Sequence, residues 1–196
     1  MKQRDDSPEP DRALAERAAR GSGAAFAVLV TRHSDAVYAI ARNMCATSRE
    51  AAEVVQEAFL AAWRELPFFP PGARFTPWLY GMAMKAAFAQ RKRDRRSPAG
   101  SLESYLPAFD GAGRLAASKG RWQELDDNPS ERFEVTGLLR EALECIDDQT
   151  RAAFVLRDLL QLPADETAAI LEASPPAVRR DAHRLRLMLH GFIDQL

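Results

Sequence analysis

Leu162-Pro163-Ala164-Asp165-Glu166-Thr167-Ala168-Ala169-Ile170-Leu171-Glu172-Ala173-Ser174-Pro175-Pro176-Ala177-Val178-Arg179-Arg180 spells two short helices and the turn between them. Proline suits the first position of a helix, where the N–H has no intrahelical partner, and Asp165 and Glu166 in the first turn are favoured by the helix dipole. A helix opening at Pro163 and running through Leu171 is therefore expected. Glu172-Ala173-Ser174 makes a tight turn, with Ser174 capping the next helix and Pro175 at its first position. Beyond it Val178, Ala182, Leu185 and Leu189 form a narrow apolar stripe, while Arg180, His183 and Arg184 project from the opposite side. Two helices, a three-residue turn and a basic outer face make a helix-turn-helix, which lays its second helix in the DNA major groove. An ordinary helical hairpin with a solvated charged face has the same pattern, so the rest of the chain must discriminate.

Working outward, the upstream apolar positions also repeat at helical spacing. Phe133, Leu138, Leu139, Ala142, Leu143 and Ile146 mark one helix, and residues 153–160 another. Between residues 97 and 130 the periodicity fails, and Pro98, Gly100, Pro107, Gly111, Gly113, Gly120 and Pro129 punctuate a polar stretch that reads as a flexible linker. Before the linker, a short helix near residues 14–20 precedes the turn Gly21-Ser22-Gly23. A long amphipathic helix follows with Phe26, Leu29, Val30, Val37, Ile40, Ala41 and Met44. Thr47 and Glu50 have capping-box spacing and open a helix with apolar positions Val55, Phe59, Ala62 and Trp63, which ends before Pro67. Pro67-Phe68-Phe69-Pro70-Pro71-Gly72 cannot continue it, and a further helix resumes near Thr76 or Pro77, with Trp78, Leu79, Met82 and Ala86 toward a core. The fold class expected is all-α: two small helical domains, 1–96 and 131–196, joined by a linker at 97–130, the second domain holding the helix-turn-helix.

The net charge of −1 over 196 residues conceals an uneven distribution. From Arg74 to Arg96 seven basic residues face Asp94 alone, a net +6, whereas from Glu103 to Asp148 five basic residues face eleven acidic ones, a net −6. Arg179, Arg180, Arg184 and Arg186 against Asp181 restore the positive sign near the end. Two basic regions flanking an acidic middle suit a protein that touches a polyanion at two places. Catalytic and metal chemistry lack their residues: Cys45 and Cys145 read as reduced thiols, His33, His183 and His190 are scattered, and no nucleophile constellation or glycine-rich phosphate loop can be assembled. No cofactor or metal is expected. The opening MKQRDDSPEPDR lacks the apolar run of a signal peptide, and no segment is apolar enough to span a bilayer, so a cytoplasmic protein without membrane insertion is expected.

At this point the chain resembles extracytoplasmic-function sigma factors, in order and spacing, over nearly its whole length. Ala51-Ala52-Glu53-Val54-Val55-Gln56-Glu57-Ala58-Phe59-Leu60 resembles the family's core-polymerase-binding helix, and Phe75-Thr76-Pro77-Trp78-Leu79-Tyr80 the start of its −10 element helix. Leu143-Glu144, Arg151-Ala152-Ala153-Phe154-Val155-Leu156-Arg157-Asp158, Glu166-Thr167-Ala168-Ala169-Ile170-Leu171 and Pro176-Ala177-Val178-Arg179-Arg180 resemble its −35 binding domain. Leu106-Pro107-Ala108-Phe109-Asp110-Gly111, followed by Trp122, resembles the linker of one subset.

The resemblance implies an alternative sigma factor, with no enzyme activity of its own, that binds core RNA polymerase and directs promoter-specific initiation. In that reading 1–96 is a region 2-like domain that binds polymerase and the −10 element, and 131–196 a region 4-like domain that binds the −35 element. Glu53, Gln56 and Glu57 would meet polymerase. Phe68, Phe69 and Arg74 would hold an unstacked −10 base, which needs an aromatic pocket and nearby cations to offset extraction. Lys85, Arg91, Lys92 and Arg95 would track phosphates, and Tyr80 would stack or pack. Ala177, Arg179, Arg180 and Arg184 would meet the −35 element. The chain departs from the family's usual pattern at Ala52 and Ala89, where acidic residues are common, at Met84 and Lys85, where arginine and asparagine are, and at Asp181, usually basic. Partners implied are core polymerase, promoter DNA and an anti-sigma factor. A sigma-like decoy that sequesters an anti-sigma factor without initiating transcription is the alternative, and a conventional dimeric helix-turn-helix regulator a further one.

Overall fold

The computed structural model describes residues 9–94, 143 and 146–193, and among them all regular structure is helical. The chain divides into two compact units, Met1–Arg93 and Asp94–Leu196. The sequence-predicted linker, most of the helix around Phe133 to Ile146, Arg95 and Cys145 lie outside the described residues.

Unit 1 holds four helices, α1 (Asp11–Ala19), α2 (Gly23–Met44), α3 (Ser48–Glu65) and α4 (Phe75–Asp94), with a 3₁₀ turn at Leu66–Phe68. Each boundary has a local cause. After α1, Gly21 at φ 92° lets its N–H reach the Ala18 carbonyl at 2.8 Å and the Ser22 N–H reach that of Arg17 at 3.1 Å, a Schellman ending that only a residue free of a Cβ adopts without strain. Ser22 then caps α2, its Oγ accepting from the Ala25 N–H at 3.3 Å. The capping box opening α3 is complete: Thr47 Oγ1 accepts from Glu50 N–H at 3.2 Å, and Glu50 Oε2 accepts from Thr47 N–H at 3.0 Å. Between the 3₁₀ turn and α4 the chain folds through Pro70-Pro71-Gly72-Ala73, with Gly72 at φ 82° and the Ala73 N–H on the Pro70 carbonyl at 3.1 Å. Proline second and glycine third is what a type II turn requires.

The unit 1 core is built from Leu14, Leu29, Val37, Ile40, Met44, Val54, Ala58, Leu66, Leu79, Ala83 and Met84. Burying such side chains contributes about 1.5–3 kcal/mol for each large one. Expectation and structure differ in three places. The first helix starts at Asp11, three residues before residue 14, because Asp11 in its first turn faces Arg32 and His33 of α2. On α3 the buried row is Ala51, Val54, Ala58, Phe59 and Ala62, so Val54 rather than Val55 belongs to it. Trp63 stays partly exposed and lies against Phe26 at a ring separation of 4.9 Å.

In unit 2, α5 (Asp148–Phe154) runs into a π-helical turn (Val155–Leu159), followed by α6 (Ala164–Leu171) and α7 (Pro175–Ile193). The helix expected at residues 153–160 starts five positions earlier, because Asp147 caps it by accepting from the Thr150 N–H at 2.9 Å. Pro163 is the N-cap of α6 rather than its first helical residue; its extended ψ of 149° leaves its carbonyl to accept from the Thr167 N–H at 3.0 Å. Glu172 ends α6 in the left-handed region at φ 51°, and Ser174 Oγ accepts from Ala177 N–H at 3.3 Å to cap α7. Val178, Ala182, Leu185 and Met188 of α7 are buried, and Ile146, Leu185 and Met188 form one cluster with Leu143, Phe154 and Leu189 around it. α6, the turn and α7 make the helix-turn-helix.

Candidate nucleic-acid and polymerase interfaces

On α3, Glu53, Gln56 and Glu57 are all exposed and lie at i, i+3 and i+4, a single outward row opposite the buried Val54, Ala58 and Ala62. Glu53 Oε1 accepts from Arg49 Nε at 3.2 Å, an exposed pair that contributes little stability. Sequence reasoning missed Leu60, which extends this row and is 46% exposed. Its signal was present: it stands four residues after Gln56 and three after Glu57.

The two phenylalanines after α3 part company. Phe68 is 78% exposed at the end of the 3₁₀ turn. Phe69 is half-buried, with ring separations of 5.0 Å to Trp78 and 6.1 Å to Phe75. The aromatic run continues from Phe75 to His33 at 5.4 Å and from His33 to Tyr80 at 6.5 Å. Tyr80 is thus interior, and burial, with a smaller contribution from the Asp11 carboxylate, raises its phenol pKa above the ordinary value. It packs rather than offering a stacking surface. Arg74 is exposed in the turn before α4.

Along α4, Lys85, Ala89 and Lys92 are exposed at i, i+4 and i+7 and so share one face. Arg91, grouped with them from sequence, is half-buried, and its Nη1 donates to the Met44 carbonyl at 2.9 Å. That bond satisfies a carbonyl at the C-terminus of α2, so Arg91 fastens α4 to α2. Met84 is buried and belongs to the core.

In unit 2, Arg179, Arg180 and His183 are exposed, and Ala177 and Arg184 are half-buried. Arg186 is held by Asp158 at 3.0 Å, which ties α7 to the π-helical turn. Arg180 Nε donates to Asp181 Oδ1 at 3.0 Å. The cations thus lie away from the stripe that packs on α5 and α6. Cys45 is buried, and among the described residues no cluster of His, Cys, Asp and Glu has metal-holding geometry. No described helix is long and apolar enough to cross a membrane.

Comparison with known proteins accounts for both units. The sigma-70 region 2 family matches residues 29–97, and the sigma-70 region 4 family matches residues 136–189. The chain is 30% identical to the RNA polymerase sigma factor CnrH of Cupriavidus metallidurans, covering 95% of each chain. It is 29% identical to the ECF RNA polymerase sigma-E factor of Escherichia coli, again over 95% of each. A solved structure of CnrH in complex with the cytosolic domain of CnrY is similar over 94% of this chain and 97% of that one, with a TM-score of 0.63 at 27% identity. Relatives of that kind bind RNA polymerase and promoter DNA and are not known as enzymes. With both regions matched in order and a relative aligned end to end, the chain belongs to the extracytoplasmic-function family of sigma factors: it is an alternative sigma factor that binds core RNA polymerase and directs promoter-specific transcription initiation.

Proposed function

We propose a division of labour in which unit 1, residues 1–96, grips core polymerase and the −10 element while unit 2, residues 131–196, holds the −35 element, with residues 97–130 joining them. The observation that carries this reading is the outward row Glu53, Gln56 and Glu57 on α3, which no packing within unit 1 requires. Acidic and amide groups in such a row suit a basic, polar partner surface, and Leu60 beside them supplies apolar area to bury. Phe68, uncovered at the end of its turn, is the aromatic surface for an extracted −10 base, with Arg74 nearby in sequence as cation; Phe69 backs the site from the aromatic cluster. Lys85 and Lys92 meet phosphates along one face of α4, and Arg179, Arg180 and Arg184 with Ala177 face the −35 duplex.

The protein performs no catalytic step, acts in the cytoplasm, and is held in reserve by an anti-sigma partner, as the pairing of CnrH with CnrY suggests. The protein in that complex is itself named a sigma factor, so binding an inhibitor gives no separate support to a decoy. Reconstitution tests the proposal. Core RNA polymerase plus the full chain should start RNA synthesis at a cognate promoter, and Gln56→Ala should reduce recovery of core enzyme on the immobilised chain. A chain that retains no core enzyme at low salt, or that releases another sigma factor from its inhibitor without starting transcripts, would overturn it.

A further inference from the structure

On α7 Asp181 is bonded to its neighbour: Asp181 Oδ1 accepts from Arg180 Nε at 3.0 Å. The two side chains differ in setting. Arg180 is 73% exposed, whereas Asp181 is only 18% exposed and stands on the flank of the helix between the outer face and the packed stripe. At about 100° per residue, Arg180 lies about 200° around the helix from the buried Val178, and His183 about 140°, so Arg180 sits near the middle of the outward face. Among the described residues nothing else binds the Arg180 guanidinium.

We infer that Asp181 is a positioning residue that holds Arg180 as a reader of one guanine in the −35 element, an inference that rests on the assignment of unit 2 to that element. The reasoning is chemical. With Nε occupied by the carboxylate, the guanidinium loses much of its rotational freedom, and its two Nη groups remain as a fork pointing away from Asp181. A fork of two parallel N–H donors matches the O6 and N7 acceptors that guanine shows in the major groove, and no other base pair presents two acceptors on one base there. Phosphate contact is the competing use of an arginine, and the pair is poorly suited to it. Its net charge is zero, and a carboxylate beside the guanidinium repels the same phosphate the arginine would attract. A neutral pair takes its selectivity from hydrogen-bond geometry rather than from charge, which suits Arg180 to reading a base edge rather than to fixing register on phosphates.

The test uses holoenzyme reconstituted from core polymerase with the wild-type chain, Arg180→Ala, Arg180→Lys or Asp181→Asn, each binding a promoter library with the −35 segment randomised. None of the substitutions touches the buried stripe. Wild type should select guanine at one −35 position. Both Arg180 variants should lose that preference by roughly tenfold, lysine because it keeps the charge but not the fork, and the dependence on salt should stay unchanged because Arg180 neutralises no phosphate. Asp181→Asn should weaken the preference at that same position while strengthening binding to unrelated DNA, an outcome that a merely structural carboxylate would not produce. Equal weakening across all sequences by Arg180→Ala, an intact preference in Asp181→Asn, or a wild type that selects no guanine would overturn the inference and leave the sigma assignment standing. Failure of the wild type to select any −35 sequence would overturn the assignment of unit 2 as well.

Discussion

Tyr80 and His33 meet with their rings nearly perpendicular inside unit 1, and the Tyr80 phenol is harder to ionise than usual because the phenolate would be buried and would face Asp11. The folded state therefore holds the phenolic proton more tightly than the unfolded chain does. That contribution is intact below the unfolded pKa of about 10 and is lost as pH climbs through the higher folded value. Tyr80→Phe should remove this alkaline loss, making unit 1 stability flatter above about pH 10 than in the wild type. Denaturant titrations across that range check it, and parallel decline of the two proteins would assign the loss elsewhere. Sequence alone leaves Tyr80 open to stacking or packing, since period and motif place it on a helix but do not show that His33 and Asp11 arrive from other helices. Phe68 and Phe69 pose the same problem. Adjacent and chemically identical, they separate only when the 3₁₀ turn directs one ring to Trp78 and the other to solvent.

α1 is nine residues long, too short to be stable alone in water, so its helicity depends on docking. Three apolar residues, Leu14, Ala15 and Ala18, supply part of that docking. The polar part is a fastening at its first residue. Asp11 accepts from Arg32 Nη1 at 2.5 Å and from His33 Nε2 at 2.7 Å, and Arg32 Nη1 also donates to the Glu9 carbonyl at 2.8 Å. His33 is buried, so removing its acceptor leaves a polar nitrogen inside the protein without that partner. Asp11→Ala should cost about 1.5–3 kcal/mol of unit 1 stability and speed amide exchange throughout α1; exchange at the wild-type rate would show that apolar contact alone holds the helix. Most helix ends set by neighbours in sequence are readable in advance: Thr47 with Glu50, Ser174 before Pro175 and the Gly21 turn all appear where their chemistry demands, although apolar spacing passes over the equally local Asp147 cap. Those set by distant partners are not. Nothing near Asp11 in the chain announces Arg32 and His33, and Arg91 looks like one more cation of a basic run until its bond to the Met44 carbonyl is seen. Gln161, at φ 54° after the π-helical turn, gives no warning either, because glutamine is an unusual choice for the left-handed region.

Among the described residues, the positive stretches seen in the sequence keep exposed cations: Lys85 and Lys92 on α4, Arg179 on α7. On the assignment proposed above, these cations meet one duplex and release its counterions together, so promoter binding by the holoenzyme should weaken steeply with salt. Replacing Lys85 or Lys92 by alanine should each flatten the slope of log affinity against log salt by about one, alike on all promoters. An unchanged slope would remove that side chain from the phosphate contacts. The two-unit plan, the helical class and the helix-turn-helix are legible in advance because each follows from period and punctuation within a short window. Which arginine of the basic stretch anchors the fold is not, since Arg186 looks like its neighbours until Asp158 is seen to hold it against the π-helical turn. One consequence concerns the drift of regulatory circuits. In α7 the residues that pack, Val178, Ala182, Leu185 and Met188, share no side with those that face outward. Point changes at Arg180 or Asp181 leave the scaffold's interior untouched, so, with the reading role proposed for that pair, descendants of this protein can acquire new target genes by single substitutions without first surviving a poorly folded intermediate.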